Sequence, residues 1–380
     1  METLLSLWPF PVIILAAFLI AWGAECGQFY VSQGLALAAL AWMQTLPEFA
    51  VEATIAQQAA RDPSMMHLVT ANFTGSLRLF VGLGWPLVFF IGYFLSSKNK
   101  KNRVLHLMRE DAIAIVAFLP SLFYMLCIYV KSTLTVLDGL ILFAIYGLYL
   151  FWLSKMPKQE MESLEDLGGV PKAIMKLGAP VRAAAVIGCL ILGVAALFFC
   201  AHPFLNSMLH IALAMGISQF IFVQWIAPAL SELPEEISAF YWAKTNRGAM
   251  GLVNFVSSCV NQWTMLIGMI PFIVMWSSHG HTTIVFDDFQ KAEILLTVLQ
   301  GFLGMMFLLN MEFHLHEAAG LMGLWIIQFV FPASRHAIVY VYGGWLLIEI
   351  LAVPFRKRQR NAFVIFAELT RERVWTRKSL

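Results

Sequence analysis

Charge is scarce in this chain: Asp, Glu, Lys and Arg make up 13% of its 380 residues, against 60% hydrophobic residues. A soluble domain of that length does not bury so much apolar surface, so the chain is expected to lie in a bilayer, as its mean hydropathy of +0.75 also indicates. Cysteine is equally sparse. Cys26, Cys127, Cys189, Cys200 and Cys259 sit in or beside apolar segments and form no Cys-x-x-Cys pair, which excludes a disulfide framework or a zinc site and leaves them as small core residues. There is no phosphate-binding glycine loop, nucleophile triad or haem motif, so neither an enzyme nor a cofactor is expected, and no nucleic acid partner. The N-terminus lacks the basic segment of a cleaved leader, so residues 7–25 are expected to stay as a first span.

What is abundant is long apolar runs. Runs of about 20 residues place spans at 7–25, 30–59, 65–95, 112–130 and 134–153, and after a polar loop at 182–201, 204–243, 248–277, 292–310, 316–331 and 335–354. Alternating the sides of these eleven spans sorts every Lys and Arg but Arg78 into 20 on one side and 4 on the other. The poor side holds Arg61, Lys131, Lys291 and Arg335. By the positive-inside rule the N-terminus faces out and the basic tail, 355–380, faces the cytoplasm of an inner or plasma membrane.

Against that apolar background, Ala227-Pro-Ala-Leu-Ser-Glu-Leu-Pro-Glu-Glu-Ile-Ser238 places three acids and two prolines inside one span. A charge at the bilayer centre costs about 2.5–3.5 kcal/mol or more, so such residues face protein or a watery cavity. Trp42-Met-Gln-Thr-Leu-Pro-Glu-Phe-Ala-Val-Glu52 repeats Leu-Pro-Glu, so Glu48 answers to Glu235 and Pro47 to Pro234. Each proline frees a carbonyl four residues back, that of Met43 and that of Leu230, and is expected to break its helix there. Carboxylates beside free carbonyls suit Na⁺, Ca²⁺ or protons rather than a soft metal. Acids this close also disfavour each other's ionisation, so part of the cluster is expected to carry H⁺.

The duplication extends beyond these acids. Residues 24–90 align with 201–273, through Ala71-Asn-Phe-Thr-Gly-Ser76 against Val253-Asn-Phe-Val-Ser-Ser258, and Leu137-Asp-Gly opens the fifth span as His316-Glu-Ala opens the tenth. An odd number of spans per copy inserts the copies in opposite directions. The expected fold is therefore an all-α polytopic membrane protein: an inverted repeat of five plus five transmembrane helices (1–155 and 182–331, joined by a cytoplasmic loop at 156–181), with an extra span at 332–354.

Thr45-Leu-Pro-Glu48 and Ser231-Glu-Leu-Pro-Glu235, each followed by an Asn-bearing segment ending in Ser, resemble the two α-repeats of the cation/calcium antiporters, the sodium/calcium exchanger superfamily. The resemblance covers about residues 5–331. It implies a ten-span core whose second, third, seventh and eighth helices enclose the cation sites, and exchange of Ca²⁺, or another divalent cation, for Na⁺ or H⁺. Glu48 and Glu235 then match the central glutamates, Thr45, Ser231, Ser76 and Ser258 hydroxyl ligands, and Asn72 and Asn254 the asparagines that open the third and eighth helices. Gln44 and Glu232 replace hydroxyl positions, Leu77 and Cys259 replace asparagines, and Phe80 stands where its counterpart is Gln262. The metal-ligating set is thus Glu48, Glu235, Thr45, Ser231, Ser76, Ser258, Glu232, Gln262, Asn72 and Asn254. Arg78 is a candidate internal counter-ion to Glu48 or Glu52, or else a cation snorkelling to the interface. Glu52 and Glu236 are either further site acids or boundary residues. The alternative function is a transport-inactive, exchanger-like membrane subunit, with the eleventh span and the basic tail as candidate protein-contact surfaces.

Weaker signals remain. His279-Gly-His281 and His314-Leu-His316 read as solvated loop histidines, and Asp287-Asp288 as a cation-attracting outer mouth or a plain loop. The tail interleaves basic and aromatic residues from Arg356 to Lys378 and is expected to lie on anionic lipid.

Overall fold

The computed structural model describes residues 7–27, 29–30, 33–95, 103–155, 167, 169–278 and 283–372; for 33–44 and 357 it describes the backbone alone. His279 and His281, the lysines of 98–101, most of the 156–168 loop and the tail beyond 372 lie outside those residues.

The first half runs α1 (Pro9–Gly27), α2 (Gln33–Arg61), α3 (Met66–Leu79), a π-turn (Phe80–Gly84), α4 (Trp85–Leu95), α5 (Ala112–Lys131) and α6 (Val136–Lys155). A short α7 (Gly169–Met175) precedes the second half: α8 (Ala179–Ala214), α9 (Gln219–Ser231), α10 (Leu233–Lys244), α11 (Gly248–Asn261), a π-turn (Gln262–Leu266), α12 (Ile267–Ser277), α13 (Asp288–Leu308) and α14 (Leu315–Val330). Beyond them lie α15 (Arg335–Ala352) and α16 (Asn361–Thr370). Among the described residues seven helical runs are long and apolar enough to cross a membrane, and the α14/α15 pair, bent by 119°, would add an eighth; α9 is a shorter apolar helix.

Three features mark the internal symmetry. The π-turns fall at matching places, Phe80 and Gln262 each opening one. The fifth helix of each half starts with the same device: the Asp138 carboxylate accepts from the Thr135 backbone N–H at 2.7 Å, and the Glu317 carboxylate from that of His314 at 2.7 Å. Finally, β1 (Val104–His106) pairs antiparallel with β4 (Glu312–His314), and β2 (Thr133–Thr135) with β3 (Thr283–Val285). These ribbons sit at opposite ends of α5. Exchanging the two halves converts one ribbon into the other, as an inverted repeat requires.

Several boundaries differ from the sequence reading. α2 runs unbroken through Pro47, whereas the matching element in the second half stops at Ser231 and restarts at Leu233. The difference is the number of prolines: Pro47 acts alone, while Pro228 and Pro234 each remove a backbone donor within two turns. α8 extends to Ala214, past Pro203 and past the expected end at 201. Its stop is Gly216, whose φ of +67° lies in the left-handed region. Asp287 is a helix cap, accepting from the Gln290 backbone N–H at 2.7 Å, and Asp288 is exposed beside Lys291. The tail, expected on lipid, docks one face of α16 on the bundle: Ala362 and Leu369 are buried, Trp152 donates to Thr370 at 3.2 Å, and Phe363 and Val364 stay exposed. All five cysteines are free.

Candidate cation site

The acids come together where α2 faces the α9/α10 break. Glu48, Glu52, Glu232 and Glu235 are all at most 6% exposed, and Glu236 is half-buried. Helical spacing puts Glu48 and Glu52 on one face of α2. The break puts Glu232 between two helices, and Glu235 follows in the first turn of α10.

Glu48, Glu52, Glu232 and Glu235 are each held by an amide or a hydroxyl. The side-chain nitrogen of Gln262 donates to Glu48 at 2.7 Å and to Glu232 at 2.8 Å, so one amide bridges the two halves. A π-turn adds a residue to one helical turn and re-aims what it carries; here it turns Gln262 towards the acids. Glu235 accepts from Asn254 at 3.0 Å and from the Ser258 hydroxyl. Glu52 accepts from Asn72 at 2.6 Å, and Asn261 donates to Thr45 at 2.8 Å. Ser231 instead turns its hydroxyl back to the Ala227 carbonyl at 2.9 Å. Thus Glu48, Glu232, Glu235, Gln262, Asn254, Ser258, Asn72 and Thr45 engage a partner within the cluster, and Ser231 bonds within its own helix.

The amides of Asn72 and Gln262 spend their N–H groups on the acids and that of Asn261 on Thr45, and all three leave an oxygen unused. Glu48 Oε1, Glu52 Oε1, Asn72 Oδ1, Ser76 Oγ, Glu232 Oε2, Asn261 Oδ1 and Gln262 Oε1 are buried with no hydrogen-bond partner. Buried polar atoms are normally satisfied. Among the described residues no three His, Cys, Asp or Glu side chains form a finished metal cage; the oxygens are spread over carboxylates, amides and a hydroxyl. That donor chemistry fits a hard cation or protons, not a soft metal.

Asn261 is the residue of this cluster that the sequence reading does not name, although Asn261-Gln262 is a polar doublet inside an apolar span, a usable signal. Of the two readings open for Glu52, further acid or boundary residue, its full burial favours the first. Phe80, by contrast, packs on Phe255 with ring centroids 4.9 Å apart, and Leu77 and Cys259 are fully buried core residues. For Gln44 the side chain lies outside the described residues.

Arg78 is an internal counter-ion, but not to Glu48 or Glu52, and it does not snorkel. Its guanidinium is fully buried, pairs with Glu293 at 2.7 Å, donates to Gln328 at 3.3 Å and lies over the Trp225 ring at 5.1 Å. The reason is helix geometry: two residues past Ser76 on α3, Arg78 projects to the opposite face.

Glycine brings the two cation-site helices together. A Cβ at Gly75 would lie 1.9 Å from the Gln224 carbonyl oxygen of α9, so only glycine permits this approach. That carbonyl is the one Pro228, four residues on, leaves without its helical donor.

Two oppositely inserted halves meeting around buried oxygens define a membrane transporter of inverted-repeat type. The family model described as sodium/calcium exchanger protein matches residues 3–155 and 185–333, and the chain belongs to that family. A crystal structure of an H⁺/Ca²⁺ exchanger, CAX, is 30% identical, with a TM-score of 0.88 over 97% of this chain and 91% of that one. The sodium-calcium exchanger NCX_Mj soaked with 100 mM Na⁺ and 10 mM Sr²⁺ shares the fold at 19% identity, with a TM-score of 0.54 over 87% of this chain and 99% of that one. No curated protein matches the chain.

Proposed function

We propose that the protein exchanges Ca²⁺, or another divalent cation, for H⁺ at the cluster of Glu48, Glu52, Glu232 and Glu235. The observation that carries this is the buried set of seven unpartnered oxygens around acids from both halves. Carboxylates in a low-dielectric interior need a compensating positive charge. Among the described residues the nearest candidate in sequence, Arg78, is committed elsewhere. Neutrality at Glu48 and Glu232 is therefore met by one divalent ion or by two protons, and alternating between these states is exchange. The likeness to the H⁺/Ca²⁺ exchanger supports H⁺ as the counter-ion. So does the loss of polar positions at Leu77 and Cys259, where the family has asparagine, and at Phe80; Na⁺ is the alternative. The turning away of Arg78 favours exchange over the transport-inactive reading.

A cleft of about 270 Å³ between α1 and α10 is lined by Trp22, Glu25, Pro234, Ser238 and Tyr241, and so borders the residue beside Glu235. By the distribution of Lys and Arg, that end faces the cytoplasm. Purified protein in proteoliposomes should take up Ca²⁺ when the lumen is made acidic, and Glu48→Gln or Glu235→Gln should abolish it. Uptake that survives both substitutions defeats the assignment.

A further inference from the structure

Outside the cation cluster lies a second buried polar assembly. Glu293 on α13 accepts from Arg78 (α3) at 2.7 Å through Oε2 and from Arg335 (α15) at 2.7 Å through Oε1. Gln224 on α9 donates to the same Glu293 at 2.8 Å and to Thr74 at 3.3 Å, and accepts from Arg335 at 3.1 Å. All four are at most 8% exposed. Two arginines on one glutamate leave a surplus positive charge, costly in a membrane interior and not needed for a simple packing contact.

The position of the assembly gives it a use. Gln224 is one turn before Pro228, where α9 has lost a backbone hydrogen bond, and its carbonyl is the atom that meets Gly75. Further along, α9 ends at Ser231, with Glu232 in the break just beyond it; next to Gly75 on α3 comes Ser76. A helix weakened by proline keeps its course only if something holds it from outside. Arg335 supplies that hold, with one N–H on Glu293 and another on Gln224. It opens α15, the helix that begins beyond residue 333, where the family match ends.

The geometry points to Arg335 and Gln224 as positioning residues for the cation site: through Glu293 and Arg78, the helix outside the ten-span core clamps α9 against α3 and thereby sets Glu232 and Ser76 across from Glu48. This rests on the exchange reading of that site. Outer partners that orient ligands typically matter 10–100-fold in metal affinity.

The test uses the purified full chain and Ca²⁺ alone, following the Ca²⁺ concentration that half-maximally raises the melting temperature. Arg335→Gln and Gln224→Met should each raise that concentration about 10-fold or more. Arg335→Lys, which keeps the charge and a bond to Glu293, should recover most of the affinity, and Arg358→Gln, at an exposed position, should change nothing. Gln224→Met leaves the three charges paired and carries the test alone should Arg335→Gln fail to fold. Midpoints within twofold of the unsubstituted protein, with or without a lower melting temperature, overturn the clamp. A Ca²⁺ response lost in Glu48→Gln but untouched in Gln224→Met overturns the clamp alone. A response that survives Glu48→Gln overturns the exchange reading and the clamp with it.

Discussion

Replacing Gly75 by alanine adds one methyl group at the tightest point between α3 and α9. Built on the existing backbone, that carbon lies 1.9 Å from the Gln224 carbonyl oxygen and 2.8 Å from its carbon. The obstacle is main chain and cannot swing aside, so the helices must separate by about 1 Å or more to restore an ordinary contact. Overpacking of this kind costs about 1–3 kcal/mol. The functional loss should exceed the loss of stability. Ser76 is the next residue and Glu232 lies just past the end of α9, and a shift of about 1 Å at reacting groups costs roughly 100-fold. Melting in detergent and initial Ca²⁺ uptake in proteoliposomes should be compared for Gly75→Ala and for Gly147→Ala, where nothing lies within 4 Å. Gly75→Ala should fold, melt lower and transport at about one hundredth of the normal rate; Gly147→Ala should behave normally. Normal uptake by Gly75→Ala would show that the α3–α9 contact does not set the site.

Other outcomes follow from the same geometry. Asn72→Leu removes the donor held by Glu52 at 2.6 Å and should cost about 1–3 kcal/mol; Asn254→Leu should cost less because Glu235 keeps Ser258, and thermal melting of the two in one detergent compares them. Phe80→Asn, which restores a polar residue in the first π-turn, should not create a ligand. It removes a buried ring from Phe255, so a loss of about 3–5 kcal/mol in melting, without tighter Ca²⁺ binding, is expected. The proposed exchange makes protons and Ca²⁺ competitors for the same oxygens, so acidifying the side from which Ca²⁺ binds should raise the Ca²⁺ concentration for half-maximal uptake, measurable from uptake at stepped pH.

The parts of this molecule that could be read from the sequence are those that violate bilayer energetics. Glu48, Glu232 and Glu235 stand out because they lie in or beside Leu-Pro-Glu within an apolar span, and the twofold occurrence of that motif exposes the inverted repeat. Depth and direction were not readable. Arg335 follows Ser334 at a span boundary, where a cation ordinarily faces water; that it is buried depends on the 119° bend between α14 and α15. Glu293 stands at an equally unremarkable boundary. The two are joined only because α13 and α15 pack together, a non-local fact that periodicity does not contain. Likewise the identical Leu-Pro-Glu motifs suggested two identical breaks, yet only the half with Pro228 as well as Pro234 breaks, since one missing hydrogen bond is tolerated within a packed helix and two in succession are not.

The central claim is that the acids of the two halves trade a divalent ion for protons, and its most direct measurement is simultaneous recording of Ca²⁺ and H⁺ movement in proteoliposomes containing the purified protein. Ca²⁺ added outside the vesicles should enter as protons leave the lumen for the outside, towards two per Ca²⁺ if charge at Glu48 and Glu232 is conserved, and both fluxes should vanish together in Glu48→Gln. Ca²⁺ entry with no proton counterflow, or paired fluxes that persist in Glu48→Gln, would contradict it.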